Sequence, residues 1–301
     1  MTLLFTSLVS FQAYSVLVPF GRGGGAYQTA AKLVALLQAE SGQDWVLESG
    51  TLPDFDHLLG RLNAEEGRPH FLIHTEDLIG AVVQGRLPAD LFERLLLPLA
   101  VLEVTHSQLF VRSNDHRLKS WRRFTRYCGR MDCQVTLFGD DGGSENLNLR
   151  LLEARIRKQR DPFSLHRQFL NRPTVRYIAL AKGEVDVLVE QPADVNLFLE
   201  ADLFQPIFTF SGSVFADEHT SLLFMPRVRL LFQLRGSDPD QSADLAEHVR
   251  DALGHEEFKT FLKHRHGAGR EESRWGQAET GRLVRQLVKQ YKSYRDLENG
   301  L

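Results

Sequence analysis

The chain has 301 residues, 43% of them hydrophobic, and a formal net charge of −3. That is enough length and apolar content for two domains with cores of their own. The charge excludes the global basic field of a nucleic-acid binder, and no apolar run reaches the ~20 residues of a membrane helix.

Met1 to Ala13 is apolar but lacks a basic n-region and a small-x-small cleavage site, so it reads as a weak signal peptide or a loose N-terminal arm. Ser15 to Phe20 then has the composition of a buried strand. Gly21, Gly23, Gly24 and Gly25 follow, and Ala30, Leu33, Val34 and Leu37 recur at helical spacing. A glycine turn opening a helix leaves backbone N–H groups unpaired at the positive end of the helix dipole, which suits a phosphate or carboxylate. An ordinary α/β turn would look the same. A dinucleotide site is a further reading: Gly21 to Ala26 fits G-x-G-x-x-G/A, and Glu48 ends the next candidate strand at the distance of a ribose contact. Walker A is excluded, because no Lys-Ser or Lys-Thr follows the glycines.

Trp45 to Glu48 predicts a second strand, Pro53 to Asn63 a helix, and His70 to His74 a third strand ending in the polar loop Thr75-Glu76-Asp77. Strand–helix alternation implies a mainly parallel sheet with ligand loops at the carboxyl ends of its strands. Leu95 to Val104 is a long apolar run crossing toward a strand at Gln108 to Arg112, and Asn114 to Tyr127 reads as a helix. Cys128 and Cys133 fit either one disulfide or two buried thiols. Gln134 to Phe138 predicts a strand, Gly139 to Ser144 a second glycine loop, and Glu145 the start of a helix. The same strand–loop–helix device in two halves is the layout of a cleft binder.

Arg150, Arg155, Arg157, Lys158 and Arg160 make a basic helix face without stacking aromatics, so it reads as solvated rather than as a nucleic-acid site. Further on, Arg176 to Lys182 reads as helix and Gly183 to Glu190 as strand. Phe204 to Phe210 and Arg227 to Gln233 are also strands. Helices are predicted over Asp240 to Leu253, Glu256 to His264 and Gln277 to Tyr294. The last carries Leu283, Leu287 and Tyr291 on one stripe and should pack on the first lobe. These patterns place one lobe at 1–103 plus 213–301 and the other at 104–212. Catalysis finds no motif: there is no G-x-S-x-G and no H-E-x-x-H, and His255-Glu-Glu257 lacks a second histidine. His264-Arg-His266 reads as an exposed helix end, and Asp186 as structural.

Val18-Pro-Phe-Gly-Arg-Gly-Gly-Gly25 resembles the Val-Pro-Phe-x-x-Gly-Gly signature of the tripartite tricarboxylate transporter (Bug-type) extracytoplasmic solute receptors. Leu99 to Val104 resembles that family's crossover, Val135 to Leu147 its second glycine loop, and Ala181 to Glu190 its Gly-Gly-Gln-Val-Asp-Val-Met-Phe-Asp stretch. Asp240 to Lys263 resembles its C-terminal helix pair. The resemblance implies an α/β, two-lobe periplasmic-binding-protein-like fold with a ligand cleft between the lobes. It implies capture of a small organic acid or related polar metabolite in the periplasm for permease subunits or a sensor, without catalysis, metal, cofactor or nucleic acid; the dinucleotide reading would instead require NAD. The ligand would sit between Phe20, Gly21, Gly23, Gly24, Gly25 and Ala26 of one lobe and Gly142, Gly143, Ser144 and Asn146 of the other, with Thr75, Glu76 and Glu190 beside it.

The departures are specific. Arg22 stands where the family has Pro, Tyr27 or Gln28 where it has Asp, and Asn146 where it often has His. Its Tyr-Lys-Gly segment corresponds to Leu170-Asn171-Arg172 and its Gly-Thr-Ser loop to His74-Thr75-Glu76. Glu76, Asp140, Asp141 and Glu190 add acid near the cleft, so the expected ligand has a carboxylate at one end and polar hydrogen-bonding groups at the other.

Overall fold

Alternation along the first strand sets the layers of the first lobe. The computed structural model describes residues 13–22, 24–50, 52, 54–159, 163–211, 213–215, 221–235, 239–266, 274–275 and 277–300. Residues 1–12 of the apolar N-terminal stretch, and Gly23, lie outside the described residues. In strand β1 (Tyr14–Val18), Val16 and Val18 enter one hydrophobic cluster and Leu17 enters another, as the two-residue period of a strand requires. Helix α1 (Gly25–Ser41) covers the first face with Leu33 and Leu37, and Gly42 closes it at φ 64. Strand β2 (Trp45–Ser49) follows. Helix α2 (Phe55–Leu62) starts at Asp54, whose carboxylate accepts the His57 N–H at 2.9 Å, and buries Leu58 and Leu62 on the second face. Strand β3 (Phe71–Thr75), helices α3 (Asp77–Val83) and α4 (Leu91–Arg94), and the long strand β4 (Leu96–Thr105) complete this run.

The chain then crosses to the second lobe. Its elements are β5 (Gln108–Arg112), α5 (Trp121–Cys128), β6 (Cys133–Leu137), α6 (Ser144–Gln159), β7 (Leu165–Phe169), α7 (Pro173–Lys182), β8 (Val187–Glu190), α8 (Asn196–Glu200) and β9 (Phe204–Thr209). The hairpin β10 (Ser213–Phe215) and β11 (Ser221–Leu223) follows. The chain returns along β12 (Arg227–Leu234), then α9 (Pro239–Gly254), α10 (Glu256–His266), β13 (Arg274–Trp275) and α11 (Gln277–Gly300).

The sheet orders are β13-β4-β12-β3-β1-β2 and β7-β6-β8-β5-β9. In each, three strands run parallel and a fourth enters antiparallel beside the third: β12 against β3, and β5 against β8. The loops after β1 and β6, where the two glycine stretches lie, therefore hold equivalent places. Helix α11 packs on β4 and α3, burying Leu287 and Tyr291. Among the described residues no helix is long and apolar enough to cross a membrane.

Several local expectations are corrected. The helix predicted over Asn114 to Tyr127 is confined to Trp121–Cys128, because the Asp115 carboxylate accepts the Arg117 N–H at 3.0 Å and turns the chain first. Thr75-Glu76-Asp77 is no polar loop: Asp77 opens α3 and both acids are buried. Gly183 closes α7 at φ 79, so β8 begins only at Val187. Strand β7 was not predicted, since His166, Arg167 and Gln168 break any apolar run. Cys128 and Cys133 form a disulfide in the core, with Cα atoms 5.1 Å apart.

Candidate functional site

A cavity of about 570 Å³ lies between the lobes. Its walls are the segments at the carboxyl ends of β1, β2, β3, β6, β7 and β8, with Arg227 and Arg229 from the start of β12. Open α/β sheets present ligand sites at these strand ends. One wall is the start of α1. Gly24 is its N-cap, extended at φ −81 and ψ 157, and no side chain caps the helix. The first-turn N–H groups lack intrahelical acceptors by construction, and the helix dipole adds a positive end. A Cβ on Gly24 would meet only the Gly21 carbonyl, at 3.6 Å. Gly25 is different: a Cβ there would collide with the guanidinium groups of Arg265 and Arg229 and with the Asp194 carboxylate. Asp194 belongs to the second lobe and ion-pairs with Arg265 and Arg229 of the first, so the bare Gly25 backbone leaves room for an interlobe clasp.

The second glycine loop has the same place in its lobe, but the N–H groups of Gly139, Gly142, Gly143 and Ser144 already have acceptors. Asn171 accepts from Gly139 N at 3.0 Å, and the Asp140 side chain and carbonyl accept from Gly142 N and Gly143 N at 2.9 and 3.0 Å. The Asp77 carboxylate, reaching across from α3, accepts from Ser144 N at 2.8 Å and so caps α6. Of the residues predicted here, only Gly143 lines the cavity. Gly142 faces Gln84, whose amide donates to its carbonyl at 3.0 Å. Ser144 is fully buried and donates its hydroxyl to Glu76 at 2.6 Å, and Asn146 donates to the Asp141 carbonyl at 2.8 Å. The loop thus reaches the cavity through Gly139, Asp140 and Gly143, while Gly142, Ser144 and Asn146 are turned to contacts within and between the lobes.

Beneath the cavity lies a network of charges out of water. Arg227 donates through Nη1 to Glu76 at 2.8 Å, to Asp77 at 3.1 Å and to Ser144 Oγ at 2.6 Å. Its Nε lies 3.8 Å from Glu145. Glu76, predicted to meet ligand, is 0% exposed, accepts the Val228 N–H at 2.6 Å and does not line the cavity. Burial raises the Glu76 carboxyl against the pull of Arg227. For Asp77 burial acts the same way, but Arg227 and the Ser144 N–H outweigh it and hold the carboxyl below its usual range. Burial pushes the Glu145 carboxyl up to about 8, with the Glu190 charge adding to it, so its protonated form is the one favoured at neutral pH. Glu190 lines the cavity as predicted, but Arg176 ion-pairs with it at 2.7 Å and Tyr177 donates to it at 3.1 Å. Thr75 also lines the cavity, donating to Asp77 at 3.3 Å.

The remaining wall is aromatic. Phe20 packs on His74 and Phe138, with ring centroids 5.0 and 5.9 Å apart, so the two lobes meet through these rings. Burial lowers the His74 pKa to about 4 and keeps the imidazole neutral. Arg86 lies over the Phe55 ring at 5.0 Å and Arg176 over Phe138 at 5.5 Å.

Of the predicted residues, the cavity brings together Phe20, Gly21, Gly24, Gly25, Ala26, Thr75, Gly143 and Glu190. Sequence reasoning missed Arg176, Arg227 and Arg229. One signal was available: Arg227 and Arg229 are two residues apart in an otherwise apolar strand, so both point to one face of a buried sheet. Glu48, the ribose partner of the dinucleotide reading, is taken by Arg61 and is absent from the cavity wall. Among the described residues no group of three or more His, Cys, Asp or Glu could hold a metal ion.

No family model and no curated protein matches this chain. Solved structures do. MatC (Rpa3494) from Rhodopseudomonas palustris with bound malate is similar at 18% identity and a TM-score of 0.72, over 94% of this chain and 98% of its own. R. palustris Rpa4515 with adipate gives 16% and 0.73, over 95% and 97%. The periplasmic binding protein BugD gives 13% and 0.72, over 95% and 97%. These likenesses establish the two-lobe periplasmic-binding-protein fold.

Proposed function

We propose that the chain is an extracytoplasmic solute receptor of the tripartite tricarboxylate transporter type, closing two lobes on a small organic acid. The observation that carries this is the uncapped glycine start of α1, opening onto a cavity of about 570 Å³ at the strand ends of both sheets. MatC and Rpa4515, which share the fold, are described with malate and adipate. Backbone N–H groups of Gly25 and Ala26 would hold the ligand's carboxylate through the helix dipole and bridging waters, the Gly24 N–H donating instead to the Gly21 carbonyl at 3.3 Å. Phe20 would cover its apolar part, and Thr75, Gly143 and Glu190 would border its other end. On this reading the lobes are 1–103 plus 213–301 and 104–212, the location is periplasmic, and permease subunits or a sensor receive the ligand. The ligand is bound and released unchanged on this reading.

A thermal-shift screen with small organic acids and amino acids tests this on wild type and Gly24→Val. Gly24 has an extended backbone and a Cβ there meets only one carbonyl, so valine is expected to be tolerated by the fold and to crowd the α1 start. A ligand at 100 times its Kd should stabilise wild type by about 2.7 kcal/mol and leave the variant unmoved. An acid that stabilises both equally removes the site from the α1 start, and a screen in which no acid binds wild type removes the receptor reading.

A further inference from the structure

The charges around the cavity also discriminate among acids, an inference that rests on the receptor reading above. Every arginine lining the cavity already has a carboxylate of the protein. Arg227 pairs with Asp77 at 3.1 Å, Arg176 with Glu190 at 2.7 Å, Arg229 with Asp194 at 3.4 Å, and Arg86 with Asp140. No lysine is among the lining residues described. Two further carboxylates, Asp54 and Asp56, stand at the exposed rim without an arginine of their own among the described residues, although Asp54 is bonded to His57. The wall therefore carries two more acids than arginines. A ligand with one carboxylate can use the α1 dipole; a second carboxylate would find no unmatched cation and would feel the surplus negative charge.

A cationic ligand would be drawn by that surplus, but two of the aromatic faces it would need are taken. Recognition of ammonium groups by aromatics uses the ring faces, and Arg86 and Arg176 already lie over those of Phe55 and Phe138. The apolar part of the lining comes from Pro19, Phe20, Leu52, Phe55 and Leu58 on the α1 side. On the other side, Arg176 is 3% exposed, lines the cavity, and has Nε and Nη1 without hydrogen-bond partners. Its charge is matched by Glu190, but its spare N–H groups want an acceptor. A neutral oxygen meets that need without adding charge.

We infer that the receptor selects a ring-bearing monocarboxylate with a hydroxyl or carbonyl oxygen at its far end, and discriminates against dicarboxylates. A para-substituted series tests this by calorimetry: benzoate, 4-hydroxybenzoate, terephthalate and its neutral isostere 4-carbamoylbenzoate differ only at the para position, with malate, adipate and glycine betaine alongside. The expected order is 4-hydroxybenzoate tightest, benzoate next, and terephthalate, malate and adipate at least tenfold weaker than 4-hydroxybenzoate. In the Asp54→Asn/Asp56→Asn variant the terephthalate deficit should shrink; both changes lie at exposed positions, and asparagine still caps the start of α2. Terephthalate, malate or adipate binding as tightly as 4-hydroxybenzoate overturns the inference while leaving the receptor reading intact. Betaine as the tightest ligand overturns it in favour of cation recognition. If no acid binds at all, the receptor reading falls and this inference with it.

Discussion

Replacing Glu145 with Gln isolates the cost of the charges buried under the cleft. Glu145 is 1% exposed, accepts the Phe138 N–H at 2.9 Å and has Arg227 Nε at 3.8 Å. Burial raises its pKa from 4.5 to about 8. A carboxyl whose folded pKa exceeds its unfolded one takes up a proton on folding. Its contribution is full below about pH 4.5 and is lost as pH rises through about 8. Between pH 6 and pH 8 the loss approaches about 1.4 kcal/mol per pH unit for one proton. Arg227 and Glu76 share the network and absorb part of it, so the expected total is about 1–2 kcal/mol, roughly 2–6 °C in Tm. Glutamine can still accept the Phe138 N–H and never ionises. The Tm of wild type and Glu145→Gln, followed by circular dichroism from pH 5 to pH 9, should therefore coincide near pH 5, separate progressively as pH rises from there, and level off above about pH 8, with the variant higher. The difference between the curves is the quantity to read, because His74 acts on both. Its lowered pKa costs stability in each protein as pH falls from 6.5 toward about 4. Parallel curves up to pH 9 would refute a proton at Glu145 in the folded state.

Two further outcomes follow from the contacts. Gly60→Ala and Gly25→Ala make the same chemical change inside helices, yet should have opposite signs. A Cβ at Gly60 meets nothing within 4 Å and should stabilise by about 0.5–1 kcal/mol. At Gly25 it displaces Arg265, Arg229 and Asp194 and should destabilise by about 1–3 kcal/mol in urea unfolding. Asp194→Asn removes the second lobe's charge from Arg265 and Arg229 and should enlarge the ligand-free protein's radius of gyration in X-ray scattering. An unchanged radius would assign closure to the Arg86–Asp140 and Gln84–Gly142 contacts on the other side.

Much of the layer structure was legible because it depends on period and punctuation. Val16, Leu17 and Val18 alternate between two cores, and the stripe of Leu287 and Tyr291 finds β4 and α3. Local signals fail where a side chain competes with the backbone or a strand lies at an edge. Asp115 shortens the helix before α5, and β7, at the edge of its sheet, carries polar side chains that hide it. The disulfide was one of two open readings, since five residues of separation permits the bond without requiring it.

The two glycine loops show why a site is harder to read than a fold. Gly21 to Ala26 and Gly139 to Ser144 look alike in sequence, and each leads from the middle parallel strand of its lobe into a helix. A helix start becomes a ligand site only if nothing else caps it. Ser144 N is capped by Asp77, 67 residues away in sequence and in the other lobe. Gly24 opens α1 with no side-chain cap. The difference lies in long-range partners, and so does the fate of the acids: Glu76 reads as a ligand contact until Arg227 is placed against it, and Glu190, which lines the cavity, is held by Arg176. Both arginines come from segments that look ordinary alone, a strand and the first turns of a helix. Their buried positions convert an apparently acidic cleft into one whose arginines are all spoken for. Under the proposed function a carboxylate ligand relies on backbone dipoles at α1, which carry no side-chain signature beyond the glycines themselves.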